Sequence, residues 1–200
     1  MSKLFVASTN QGKIREIKDR FQHLHLEILS PDDVENPAEV LEDGNSFREN
    51  ALKKARVQAQ QTGYITLADD SGLVVEYLGG RPGIYSARFA GENASDEENN
   101  NLLLQKMEGV SGEDRRAYFK CAAALVLPDP DEEISVCGIC EGYIIDEKRG
   151  TGGFGYDPVF YLPKLKKTMA EISAEQKNQI SHRAQALDKL EKYIKLAVKQ

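Results

Sequence analysis

Cysteine is scarce in this sequence, three in 200 residues. An odd number so small makes no disulfide framework, as expected of a chain in a reducing compartment. No apolar run reaches the length of a membrane span or of a signal-peptide core, and the opening MSKLFVAS is far too short for either. A cytoplasmic protein with no membrane partner is therefore expected. An excess of basic charge is missing too: the net charge is −6, without a lysine–arginine tract or an aromatic RNA-binding signature, so nucleic acid is not an expected partner. Compositional bias and internal repeats are also absent, which excludes disorder and collagen-like architecture. Any anionic ligand must find its lysines locally.

What is present is an α/β alternation. KLFVAS at 3–8 predicts a buried strand, TNQG a tight loop, and KIREIKDRF a helix with Ile14, Ile17 and Phe21 on one face. An acidic loop over 30–44 precedes a capping box, Ser46 to Glu49, and a helix carrying Phe47, Ala51, Ala55 and Ala59 up to Gly63. YITLA and LVVEYL predict two strands with Asp69-Asp70-Ser71-Gly72 at the break between them. Ser95 to Glu98 caps another helix, closed by Gly109; AYFKCAAALVLP and ISVCGICEGYII form a long hairpin-like pair turning through PDPDEE. Cys137 and Cys140 fall three apart on the second strand of that pair, on opposite sides, and read as buried thiols rather than a metal clip. Ser173 to Gln176 caps a short helix, and from about His182 a last helix carries Leu187, Leu190, Ile194 and Ala197. One folding unit over residues 1–200 is expected.

Four stretches carry candidate chemistry. STNQGK, from Ser8 through Thr9, Asn10, Gln11 and Gly12 to Lys13, joins a strand to a helix; it is either an anion cradle at a helix N-terminus or an ordinary turn. It lacks the Walker A pattern, having Ala7 and Ile14 where glycine and a hydroxyl are needed. In ADDSG, adjacent carboxylates are either solvated at a turn or held by a cation, with Glu42 a third acid and Mg²⁺ the fitting ion. Ser181, His182 and Arg183 at a helix start either read polar base edges or merely cap and solvate the helix. GTGGFGYDP has glycines that permit close approach to the main chain, Phe154 as a stacking face, and Tyr156 and Asp157 behind it; the alternative is a glycine-rich turn with Phe154 in the core.

Taken together, VASTNQGKIREI, EDGNSFRENALKKA, LADDSGLVVEYLGGRPGIYSARFAG, GTGGFGYDPVF and ISHRAQAL resemble the inosine triphosphate pyrophosphatase family, most closely its bacterial XTP/dITP diphosphatases. The resemblance implies an elongated mixed β-sheet in two lobes flanked by helices, a nucleotide cleft between the lobes, and a homodimer. It implies Mg²⁺-dependent hydrolysis of ITP, dITP and XTP to the monophosphate and pyrophosphate, which keeps those nucleotides out of DNA and RNA. On matching positions, Ser8 to Lys13 would bind the triphosphate, Asp70 would be the acid–base residue and a metal ligand, and Ser71 would touch substrate. Phe154, Gly155, Tyr156, Asp157, Lys177, His182 and Arg183 would complete the nucleotide site. Glu42 and Asp69 would be further metal carboxylates, and Lys54 a phosphate contact. Tyr156 stands where some members have Trp, and Ser8 where Thr is frequent. Two rivals are a pyrophosphatase for another modified or a pyrimidine nucleotide, and a nucleotide sensor that does not hydrolyse.

Overall fold

Residues 2–128 and 132–198 are described by the computed structural model. Seven strands, β1 (Lys3–Val6), β2 (Glu27–Leu29), β3 (Ile65–Val75), β4 (Arg116–Val126), β5 (Glu133–Ile144), β6 (Phe160–Leu162) and β7 (Lys167–Thr168), form one sheet in the order β2-β1-β3-β4-β5-β6-β7. β1 pairs parallel with β2 and β3, and β6 pairs antiparallel with β5 and β7, so the sheet is mixed. Among the described residues five α-helices accompany it: α1 (Gln11–Phe21), α2 (Phe47–Thr62), α3 (Asp96–Lys106), α4 (Ala174–Ile180) and α5 (His182–Ala197). The expected α/β class is the observed one. The turn expected at PDPDEE includes residues 129–131, which lie outside the described residues.

The chain divides into two compact units, 1–70 with 121–138 and 183–200, and 71–120 with 139–182. In the first, Leu4, Val6, Leu67, Cys121, Ala123 and Leu125 face α1 through Ile14, Ile17 and Phe21, and α5 through Leu187, Leu190 and Ile194. The opposite sides of the same strands carry Phe5, Ala68, Ala122 and Ala124, also buried, and the alanines of α2 (51, 55 and 59) let its backbone come close there. The second unit packs Leu73, Val75, Leu103, Met107, Phe119, Tyr156, Val159 and Phe160 into a core of its own.

The capping residues act much as their sequence implies. Ser95 and Ser173 form complete capping boxes, and Gly63 ends α2 in the left-handed conformation, φ 68°. Ser46 accepts from the Glu49 N–H, but the Glu49 carboxylate turns to the Asn45 N–H at 2.8 Å, so that box is half formed. Two further departures matter. β2, at three residues, is too short to show a period in the sequence. The break expected at Asp69-Asp70 does not exist: β3 runs unbroken from Ile65 to Val75 with both acids inside it and buried. Partners, described next, replace the water that a turn would have provided.

Candidate active site

Successive strand residues point to opposite faces, so Asp69 and Asp70 serve different helices. Asp69 faces α1 and α5. Its Oδ2 lies 3.1 Å from Lys13 Nζ and 3.2 Å from Arg183 Nε, and the Cys121 thiol approaches it at 3.8 Å. Complete burial pushes this carboxyl up, yet the charges of Lys13, Arg183 and Lys54 outweigh burial and hold it well below the usual carboxylate range. Arg183 also pairs with Glu16 through Nη1 and is itself fully buried. Burial pushes the Cys121 thiol far up, so it stays protonated and is no nucleophile.

Asp70 faces α2. Its Oδ2 accepts from Asn50 Nδ2 at 2.9 Å. Burial raises its proton affinity; the charges of Lys54 and Lys13 and the Asn50 bond oppose this, Glu42 reinforces it, and the net direction is up. Lys54 bonds Glu42 Oε1 at 3.0 Å and the Asp69 carbonyl at 2.7 Å, tying the loop that carries Glu42 to β3. Ser71 follows on the same strand, half-buried.

The STNQGK segment supplies a positive end. Asn10 caps α1, accepting from the Lys13 N–H at 3.1 Å, and the first turn of this 11-residue helix contains no acid. Ser8 Oγ accepts from the Asn10 N–H at 3.2 Å, shaping the loop; Thr9 and Gln11 are exposed and Gly12 half-buried, with Gln11 reaching Asp32. A helix start so arranged, with a lysine in its first turn, suits phosphate oxygens.

The second unit has its own cluster. Asp157 Oδ2 pairs with Lys177 Nζ at 2.6 Å and accepts from the Phe154 N–H at 3.0 Å, while the same ammonium stands 4.3 Å from the centre of the Phe154 ring. Asp96 and Asn100, one turn apart on α3, clamp Gly155 by its N–H at 2.6 Å and its carbonyl at 2.8 Å. The glycines here make room for the protein's own atoms: a Cβ on Gly153, already at φ +74°, would fall 1.9 Å from Asp157 Oδ2, and one on Gly150 would strike the Ala170 main chain at 2.6 Å. Tyr156 is core, its hydroxyl donating to the Ser86 carbonyl at 2.8 Å, so it offers a ligand no stacking face. His182 is buried too, its ring stacked on Phe119 at 4.8 Å.

Most of these residues stand out in the sequence; their division of labour does not. Arg183, expected at a base edge, spends its Nε and Nη1 on carboxylates. Asn50, Glu16, Asp96 and Asn100 carry no mark of these roles in the sequence beyond, for Asn50 and Asn100, a polar side chain on a buried helix face. Among the described residues no three His, Cys, Asp or Glu side chains gather tightly enough to hold a metal. Asp69 gives Oδ2 to Lys13 and Arg183 and has Oδ1 buried without a hydrogen-bond partner among the described residues, while Asp70 and Glu42 are the carboxylates whose mutual repulsion a cation would relieve. Two hard oxygen donors, with water and phosphate completing the shell, suit Mg²⁺.

Fold and site together define a mixed α/β protein in which buried carboxylates of β3 meet a lysine at the start of α1. A model of the Ham1 family matches residues 4–193. The dITP/XTP pyrophosphatase of Bacillus anthracis is 47% identical over 195 residues, covering 97% of this chain and 96% of its own. That of Geobacter sulfurreducens is 50% identical over 194 residues, covering 97% of each. A HAM1 protein from Coxiella burnetii superposes with a TM-score of 0.88 at 39% identity, covering 98% of this chain and all of its own. The chain belongs to the Ham1 family.

Proposed function

We propose that this protein hydrolyses the non-canonical purine nucleoside triphosphates ITP, dITP and XTP to the monophosphate and pyrophosphate. The observation that carries the reading is Asp70: a buried carboxylate of raised proton affinity, with Lys13 and Lys54 near enough to oppose that rise and the open end of α1 in the same unit. A raised proton affinity makes it a better base, and the lysines match phosphate charge. Relatives named for this activity, matched end to end, support it.

Asp70 takes the proton of a water that attacks the α-phosphorus. The new bond joins the water oxygen to that phosphorus; the bond to the bridging oxygen breaks, and pyrophosphate leaves with its electron pair. Lys13, Lys54 and the N–H groups opening α1 take up its charge. Asp70 and Glu42 would hold a Mg²⁺ ion, which when bound supplies charge neutralisation and an acidified water. Phe154 supplies a face for the purine and Lys177 a donor beside it. The protein acts in the cytoplasm as a homodimer.

Pyrophosphate release from ITP, dITP, XTP, ATP and GTP, with Mg²⁺ and with EDTA, tests the reading. Release from the first three, lost with EDTA, is expected. Binding of ITP without release would leave a nucleotide sensor, and preference for a pyrimidine or other modified nucleotide would move the substrate class. Replacing Asp70 with Asn is expected to leave ITP binding largely intact and to cut turnover by about a hundredfold or more.

A further inference from the structure

Asn50 lies in the first turns of α2 and is 1% exposed. Burying a carboxamide is costly unless both of its ends are bonded. Here both are: Oδ1 accepts from the Gly44 N–H at 2.8 Å, and Nδ2 donates to Asp70 Oδ2 at 2.9 Å. Asparagine is also a weaker helix former than the alanines that flank this face, so helix stability does not explain it.

Gly44 lies two residues past Glu42, and its main chain presses directly on the carboxamide: a Cβ there would fall 2.6 Å from Asn50 Oδ1. One turn along α2, Lys54 bonds Glu42 and the Asp69 carbonyl. Positions 50 and 54 of one helix thus join the loop that carries Glu42 to the strand that carries Asp70. A carboxamide does this without adding charge, whereas Lys13 and Arg183 neutralise Asp69 next door.

We propose that Asn50 is a positioning residue: it fixes the direction of the Asp70 carboxylate and ties it to the Glu42 loop, so that the two carboxylates are presented as one rigid pair. The inference rests on the reading of Asp70 as the catalytic base. An unfixed carboxylate can turn away from the attacking water, and a misplacement on the order of 1 Å is enough to cost about a hundredfold in rate.

The test compares Asn50→Ala, Asn50→Asp and Asp70→Asn with the parent enzyme. Asn50→Asp keeps the acceptor for the Gly44 N–H and the shape of the side chain but loses the donor to Asp70. For both Asn50 variants, kcat on ITP is expected to fall about ten- to hundredfold while KM changes less than about threefold. Mn²⁺ binding to nucleotide-free Asn50→Ala, followed by electron paramagnetic resonance, is expected to weaken about tenfold, a change that a purely structural defect would not produce. A folded Asn50→Asp that turns over within about twofold of the parent overturns the proposal, as does a loss confined to KM. Unchanged Mn²⁺ binding by folded Asn50→Ala overturns the link to Glu42. Should Asp70→Asn itself run at the parent rate, the reading of Asp70 falls; if it is silent while both Asn50 variants run normally, only the role of Asn50 falls.

Discussion

Two neighbouring aspartates have been given opposite electrostatic circumstances, and this difference predicts opposite stability effects. Asp70 has its proton affinity raised by burial, so ionisation costs the folded state more than the unfolded one. Its contribution to stability is present when it is protonated and is lost as pH rises through its raised folded value. Asp70→Asn should therefore melt higher than the parent at pH 7, by about 1–4 °C, and this gain should shrink as pH is lowered; calorimetry across pH checks both. Asp69 has the reverse sign. Replacing it with Asn leaves Lys13 and Arg183 short of a buried counter-charge, and a loss of about 3–5 kcal/mol in urea unfolding is expected. Phe154→Ala should raise KM for ITP about tenfold, as loss of one stacked base contact does, with kcat changed much less. A defect confined to kcat would instead place the ring near the phosphates.

At the scale of elements, the loop from Gly150 to Asp157 is built by local geometry. Gly153→Ala puts a methyl into the Asp157 carboxylate at a residue whose φ is +74°, so it should destabilise the fold and also weaken ITP binding by displacing Lys177. Thermal melts and a binding isotherm read the two effects separately. The same loop marks how much of the site was legible in the sequence. Its glycines and its aspartate stood out, but whether the space served a ligand or Asp157 itself depended on a carboxylate folding back over its own turn. Helices α2 and α3 are legible because each opens on a serine with a glutamate three residues on, and α1 because Ile14, Ile17 and Phe21 recur at helical spacing. β3 reads in the sequence as two strands because an acidic pair followed by Ser-Gly resembles a turn. Lys13, Lys54, Arg183 and Asn50, distant in sequence, make those acids tolerable inside a strand. Arg183 is opaque for the same reason: a lone arginine at a helix start carries no mark of the two carboxylates that await it.

For the whole molecule, the interleaving of the chain decides what can fold. The first unit is completed only by 121–138 and 183–200, which bring Cys121, Ala123, Leu125, Leu187, Leu190 and Ile194 to its core. A fragment of residues 1–70 lacks β4 and α5 and is expected to give a largely unfolded far-ultraviolet circular dichroism spectrum. In the intact protein, Asp69 supports stability above its ordinary value of 3.8, and that support is lost as pH falls below this toward its much lower folded value. Acid unfolding of the parent and of Asp69→Asn should thus converge as pH drops, which titration by tryptophan-free tyrosine fluorescence can follow. Arg183 adds a matter of timing. It reaches back 114 residues to Asp69 and 167 to Glu16. During synthesis the N-terminal part of a chain emerges first, so Asp69, with Lys13 already made, must wait for almost all the rest before Arg183 arrives. A ribosome that stalls before residue 183 would release a chain carrying every proposed phosphate and metal ligand, yet lacking the arginine that closes the cluster behind them.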